Sequence, residues 1–173
     1  SMLEDAGVSG LKLKLGYMSS DAVQSAQALL IQEQLKEVGV TVELAGGDGT
    51  AIANAMKDPD NEYDMYLGGY IMGIDPDTFS SLFENDGAYN YMHYSGYDTI
   101  DQLFEEGRSE LDESARKETY AKLQAAVQDT GAFYPIISNN KILVVNNRIQ
   151  GVEDAGLVPV YTFEDTSSLK IAE

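Results

Sequence analysis

At 173 residues, 43% hydrophobic and 23% charged, the chain has the length and composition of one globular domain with a sizeable core, and wholesale disorder is excluded. Its 29 acidic against 11 basic side chains give a formal net charge of −18, which makes nucleic acid and anionic membrane surfaces poor partners. The absence of cysteine excludes disulfides, zinc–cysteine sites and thiol catalysis, and no apolar run approaches the roughly 20 residues of a membrane span.

Residues 1–10, opening Ser1-Met2-Leu3-Glu4-Asp5-Ala6-Gly7, read as the tail of a preceding helix. The chain then looks like a piece of a longer protein, with Ser1 the remnant of a tag and any export signal in the missing part. Leu11, Leu13 and Leu15 alternate with Lys12 and Lys14, the period of a strand with one buried face. Ser19-Ser20-Asp21 supplies a cap for a helix running to about Val38, with Ala28, Ile31, Leu35 and Val38 as its apolar stripe and Gly39 as its stop. Val40, Val42 and Leu44 alternate again, so a parallel βαβ unit is expected. A short helix with Ile52, Ala55 and Met56 on one side follows, and then a strand from Tyr63 to Tyr70. Two further helices point Ile100, Leu103, Phe104 and Leu111, and Tyr120, Leu123 and Val127, inward, the second stopping at Gly131. Pro135 to Ser138 and Ile142 to Val145 read as strands, and a last short strand is expected around Val158, Val160 and Tyr161. The class is α/β, with 1–173 as a single domain.

Four motifs bear on chemistry. Gly46-Gly47-Asp48-Gly49-Thr50 matches the fingerprint of the NAD and diacylglycerol kinases, where a glycine turn admits a nucleotide phosphate. The competing reading is a strand-to-helix turn, with glycines at positive φ and Asp48 or Thr50 as cap, and it is favoured because the preceding strand alternates instead of being apolar throughout. Asp58-Pro59-Asp60-Asn61-Glu62-Tyr63-Asp64 fails as a calcium loop, having Tyr63 where glycine belongs and Gly69 where the bidentate glutamate belongs. Asp75-Pro76-Asp77 suits a metal-binding carboxylate pair or the start of a helix. His93 is the one histidine, so a transition-metal site would have to recruit carboxylates around it and every Ser-His-Asp scheme would have to use it; no catalytic residue, metal or cofactor is expected. Tyr89-Asn90-Tyr91-Met92-His93-Tyr94 fits a ligand wall and the edge of a core equally well.

The stretch from Asn61 to Asp77 is the most informative: a polar turn, an aromatic strand, then Gly68-Gly69-Tyr70 and Gly73-Ile74-Asp75. Glycines at a strand end let something approach the backbone closely. Glu62-Tyr63-Asp64-Met65 with Gly69-Tyr70 resembles the ligand-facing strand of the C-terminal lobe in the extracellular solute-binding proteins of family 5, the peptide- and nickel-type receptors of ABC importers. Leu3 to Gly7, Ile31 to Leu44, the series Asp112, Arg116, Tyr120 and Gln124, and Val144-Val145-Asn146 with Gln150-Gly151-Val152 resemble other landmarks of that lobe in the same order. The resemblance implies a type II periplasmic-binding-protein-like lobe, a mixed β-sheet flanked by helices. It implies a monomeric, extracytoplasmic receptor, periplasmic or a surface lipoprotein, that is no enzyme and delivers short peptides to an ABC permease. Nickel chelates and sugars are the family's variant ligands. By the resemblance Tyr70, Ile71, Met72, Gly73 and Asp75 face the ligand; Tyr91 and His93, from the aromatic stretch, are secondary candidates. Gly73 stands where many peptide binders carry an aspartate for the ligand's α-amine. Either Asp75 takes over that role or the backbone from Tyr70 to Gly73 makes the contact, and the backbone route is preferred.

Overall fold

The computed structural model describes residues 2–71, 73–93, 97–140, 142–158 and 162–172. The expectations resting on Met72, Tyr94, Val160 and Tyr161 lie outside the described residues. The backbone forms two compact units, Ser1–Gly69 and Tyr70–Glu173.

In the first unit a short helix α1 (Met2–Asp5) leads to β1 (Lys12–Met18), α2 (Ala22–Glu37), β2 (Thr41–Gly47), α3 (Gly49–Met56) and β3 (Met65–Tyr66). The three strands form one sheet in the order β2-β1-β3, parallel throughout, with Leu13 beside Val42 and Leu15 beside Leu44. The expected βαβ unit is present. Its core joins Leu15, Ala28, Val40, Val42 and Leu67, with Leu11, Leu13, Ile31 and Leu35 packed on them. Strand alternation places Leu15, Val40 and Val42 on one face, and fully burying a leucine or valine contributes about 1.5–3 kcal/mol. The Asp21 carboxylate accepts from the backbone of Val23 and Gln24, satisfying donors that open α2. Gln24 is buried, and its Oε1 accepts from Met18 N at 2.9 Å, at the C-terminal end of β1.

Val38 departs from the expected stripe. The helix ends at Glu37, Gly39 turns the chain at φ +86°, and the Val38 side chain swings out to solvent. The strand read from Tyr63 to Tyr70 pairs with β1 only at Met65 and Tyr66, flanked by bonds from Asp64 N to Lys14 O and from Leu67 N to Gly16 O. Beyond Leu67 the chain leaves the ladder.

The second unit opens with a 3₁₀ turn (Pro76–Phe79) running into α4 (Ser80–Phe83), then α5 (Asp98–Ser109) and α6 (Glu113–Asp129). Leu82, Phe83, Ile100, Leu103, Phe104, Tyr120 and Leu123 make its core, and Val127 packs against it. Leu111 was expected inward, but α5 has already ended at Ser109, and Leu111 is 97% exposed. Antiparallel pairing occurs in two short ribbons, β4 (Ile149–Gln150) with β7 (Lys170–Ile171) and β5 (Leu157–Val158) with β6 (Thr162–Phe163). The expected strands at Pro135 to Ser138 and Ile142 to Val145 do not form among the described residues, and Ile137, Ile142 and Val144 are exposed. An apolar run gains nothing from extended geometry without a partner strand to complete its hydrogen bonds.

Candidate functional site

The kinase fingerprint is absorbed by packing. The Asp48 carboxylate accepts from Thr50 N and Ala51 N, each at 2.9 Å, and so caps α3. A Cβ on Gly46 would lie 3.0 Å from the Tyr17 ring, one on Gly47 3.3 Å from Ile52, and one on Gly49 3.1 Å from Met18 sulfur. Side chains of the same unit therefore pack closely against all three glycines. None of the three glycines has positive φ, contrary to the expectation; close approach of neighbours is what selects glycine there.

Gly68 and Gly69 are different. Their φ is not left-handed, and a Cβ would meet only Met56 Cε at 3.8 Å from Gly68 and nothing within 4 Å of Gly69. Neither conformation nor internal packing demands glycine at the end of β3.

In the second unit the expected site residues begin with Tyr70. Its hydroxyl donates to Thr78 O at 2.8 Å and lies 2.9 Å from Ser81 Oγ, while its ring faces Phe79 at 5.9 Å. The aromatic side chain is thus fixed at both ends. Ile71 is 73% exposed. Among the described residues, no backbone hydrogen bond engages Tyr70, Ile71, Gly73 or Ile74. A Cβ on Gly73 would sit 2.7 Å from Thr78 Cγ2, so the Thr78 side chain would have to shift to admit one. Met72 is outside the described residues.

Asp75 caps the 3₁₀ turn through Asp77 N at 2.8 Å, with Pro76 in the first helical position, so the helix-start reading of Asp-Pro-Asp holds. Its carboxylate also receives Arg116 Nη2, at 2.9 Å on Oδ1 and 3.0 Å on Oδ2. Asp77 and Glu84 both pair with Arg108. The carboxylates of the suggested metal pair are therefore each engaged by an arginine, and no cluster of three or more metal-ligating side chains occurs among the described residues. Sequence reading missed both arginines as partners of this loop. The available signal was composition: Arg108, Arg116 and Arg148 are the chain's three arginines, so each is a scarce cation in an acidic protein.

Tyr91 and His93 lie in the turn after α4. That turn is attached to Ser81 through Tyr89 N, which donates to Ser81 O at 2.8 Å, so Ser81 ties it to Tyr70. The Tyr91 ring stacks edge-on with Tyr89 at 5.9 Å. Met92 packs on the core of the unit, and His93 is exposed at φ 50°, a left-handed conformation uncommon outside glycine. Tyr70, Gly73 and Asp75 thus share one turn, with Tyr91 and His93 in a second turn anchored to it.

Arginine and burial push the carboxylates in opposite directions. The Arg116 hydrogen bond, with that of Asp77 N, holds Asp75 below its ordinary 3.8. Burial raises Glu84 above its ordinary 4.5, helped by Asp101 and Asp77, although Arg108 opposes the shift. Lowering the pH therefore protonates Glu84 first and relieves a cost of folding. Protonation of Asp75, below pH 3.8, then removes a contribution that is fully present above that value. We expect the unfolding midpoint of Asp75→Asn to lie below that of the parent at pH 6 and to converge on it as the pH falls below 3.8. Urea titrations across the acid range, followed by circular dichroism, check this; a gap that stays constant with pH removes the Arg116–Asp75 pair as its cause.

Comparison with known proteins extends the picture. A family model described as bacterial extracellular solute-binding proteins, family 5 Middle, matches residues 1–91. The chain is 25% identical over 151 residues to the peptide transport periplasmic protein SapA of Haemophilus influenzae, which covers 83% of this chain and 27% of that protein. Among solved structures, the ABC transporter substrate binding protein CtaP from Listeria monocytogenes is similar at 37% identity and a TM-score of 0.85, over 99% of this chain and 36% of that one. The AppA structure from Clostridium difficile is similar at 30% identity and a TM-score of 0.83, over 98% and 35%. The chain therefore spans about a third of the length of these solved relatives and about a quarter of SapA.

Proposed function

Because the chain belongs to the bacterial extracellular solute-binding proteins of family 5, we propose that residues 1–173 are the C-terminal lobe of a longer, two-lobed ABC-importer receptor for short peptides. The receptor works outside the cytoplasm as a monomer, holds the peptide in the cleft between its lobes, and hands it to a membrane permease without chemical change. The observation that carries the reading is the segment after β3. A tyrosine held by two hydrogen bonds and a ring contact stands beside Ile71 and Gly73, whose backbone groups have no partner among the described residues. Exposed backbone N–H and C=O groups without partners in the chain are open to pairing from outside it. An extended peptide does so with its own N–H and C=O groups, which gives affinity that is tolerant of sequence. Tyr70 forms the wall, Ile71 and Gly73 present backbone, and Tyr91 and His93 are secondary candidates. Relatives whose names state peptide transport and oligopeptide binding, SapA and AppA of Bacillus subtilis, support the choice of ligand.

Native mass spectrometry of the full-length receptor, purified gently from cells grown in rich medium, tests this. A ladder of bound masses fitting short peptides is expected. One discrete mass would replace peptides by a specific chelate or sugar, and a bound nucleotide would overturn the receptor reading.

A further inference from the structure

The helical turn that follows the exposed backbone is fastened differently at its two ends. At its far end Leu82 and Phe83 are buried in the core of the second unit. At its near end Ile74 is 78% exposed, and the Asp75 side chain is held by polar contacts, from Asp77 N and Arg116 Nη2. Arg116 is itself held in place. Its Nε donates to Gly107 O at 2.8 Å, Nη2 donates to the Tyr120 hydroxyl at 3.3 Å, and the guanidinium lies 4.9 Å over the Tyr120 ring. Those contacts come from α5 and α6, so the guanidinium gives up little further freedom when it pairs with Asp75.

From Asp75 the connection runs to Tyr70 through one residue. Thr78 Oγ1 donates to Asp75 O at 2.8 Å, and Thr78 N donates to the same carbonyl at 3.1 Å. Thr78 O in turn accepts from the Tyr70 hydroxyl at 2.8 Å and from Ser81 Oγ at 3.2 Å. The Thr78 methyl lies against Gly73, 2.7 Å from where a Cβ would stand. Tyr70, Ile71, Gly73 and Ile74 make no backbone hydrogen bond among the described residues, so Thr78 is a main support of that segment. We propose that Arg116 is a positioning residue for ligand capture: by holding Asp75 it fixes Thr78, and through Thr78 it sets the orientation of Tyr70. It touches no ligand itself. This rests on the peptide reading above and adds to it the residue that keeps the ligand wall in shape.

A double-mutant cycle on the full-length receptor tests this. The parent, Arg116→Gln, Tyr70→Phe and the double variant are incubated with an equimolar library of pentapeptides, and retained peptide is quantified by mass spectrometry. Tyr70→Phe keeps the ring and drops the hydroxyl that bonds to Thr78. Each single substitution is expected to lower retention about tenfold. In the Tyr70→Phe background, Arg116→Gln is expected to change retention by less than about twofold, because the connection is already cut. An equal loss in both backgrounds would assign the effect to general stability and overturns the inference. Parent-like retention by a folded Arg116→Gln also overturns it and leaves the peptide reading standing. Retention of no peptide by the parent overturns the peptide reading itself. Should Arg116→Gln not fold, Arg116→Lys, which keeps the charge without the fork that reaches Gly107 and Tyr120, is read in the same two backgrounds. A loss of about threefold confined to the parent background is then expected, and an equal loss in both, or none in either, overturns the inference.

Discussion

Phe104→Ala is expected to lower the unfolding free energy of the second unit by about 3–5 kcal/mol. Phe104 is 0% exposed and sits among Ile100, Leu103, Tyr120 and Leu123. Removing the ring gives up its burial, and the surroundings have little freedom to close the hole. Gly107 already brings the backbone of α5 against α6, since a Cβ there would stand 2.8 Å from the Tyr120 ring. The two helices cannot slide together to refill the space, which places the cost toward the upper end of the range. Domains of this size are stable by only about 5–15 kcal/mol, so much of the margin goes. Urea unfolding, with hydrogen exchange read over residues 98–129, measures the loss. Leu111→Ala serves as the comparison, because that side chain is 97% exposed and its removal should change little. A loss below about 1 kcal/mol for Phe104→Ala would mean that the helices do repack.

How far the sequence spoke for the structure depended on the range of the interaction. The β1–α2–β2 unit was legible because its signals are local: alternation at Leu11, Leu13 and Leu15, a cap at Asp21 and a left-handed stop at Gly39. Ile100, Leu103 and Phe104 were legible for the same reason, by helical spacing. Val38 and Leu111 misled because each continues an apolar pattern past the point where its helix has stopped. The runs at Pro135 to Ser138 and Ile142 to Val145 have strand composition, but composition does not supply the neighbour that makes a strand. At the candidate site, Tyr70 and Gly73 were legible only as candidates, from the glycine-rich end of a strand. The fate of Asp75 was not, because Arg116 lies 41 residues further on and nothing in the spacing links the two. The Gly46 to Gly49 motif shows the converse hazard. Its glycines fit a phosphate turn in sequence, and only the positions of Tyr17, Ile52 and Met18 reveal why they are needed.

Gly87→Ala tests whether the candidate site depends on the scaffold beneath it. A Cβ at this position would lie 2.5 Å from Ser81 O, 2.9 Å from Ser81 C and 3.0 Å from Glu84 O, all backbone atoms, so α4 or the turn after it must move. Ser81 is the residue least free to do so without consequence. Its carbonyl accepts from Tyr89 N, and its hydroxyl lies 2.9 Å from the Tyr70 hydroxyl. Shifting it loosens Tyr70 and the Tyr91–His93 turn together. The expected stability loss is about 1–3 kcal/mol, as for other overpacked sites. The expected loss of peptide retention by the full-length receptor is about tenfold or more, since small misplacements of a preorganised wall forfeit binding energy. Gly131→Ala provides the contrast that separates the two effects. Gly131 follows α6 at φ +65° with nothing within 4 Å of a Cβ, so alanine there strains the backbone by about 1–2 kcal/mol and leaves Ser81 untouched. Comparable destabilisation by the two variants, with retention lost only in Gly87→Ala, would place Tyr70 and its neighbours at the ligand. Retention lost equally in both would mean that stability alone governs binding, and full retention in a folded Gly87→Ala would remove Tyr70 from the site.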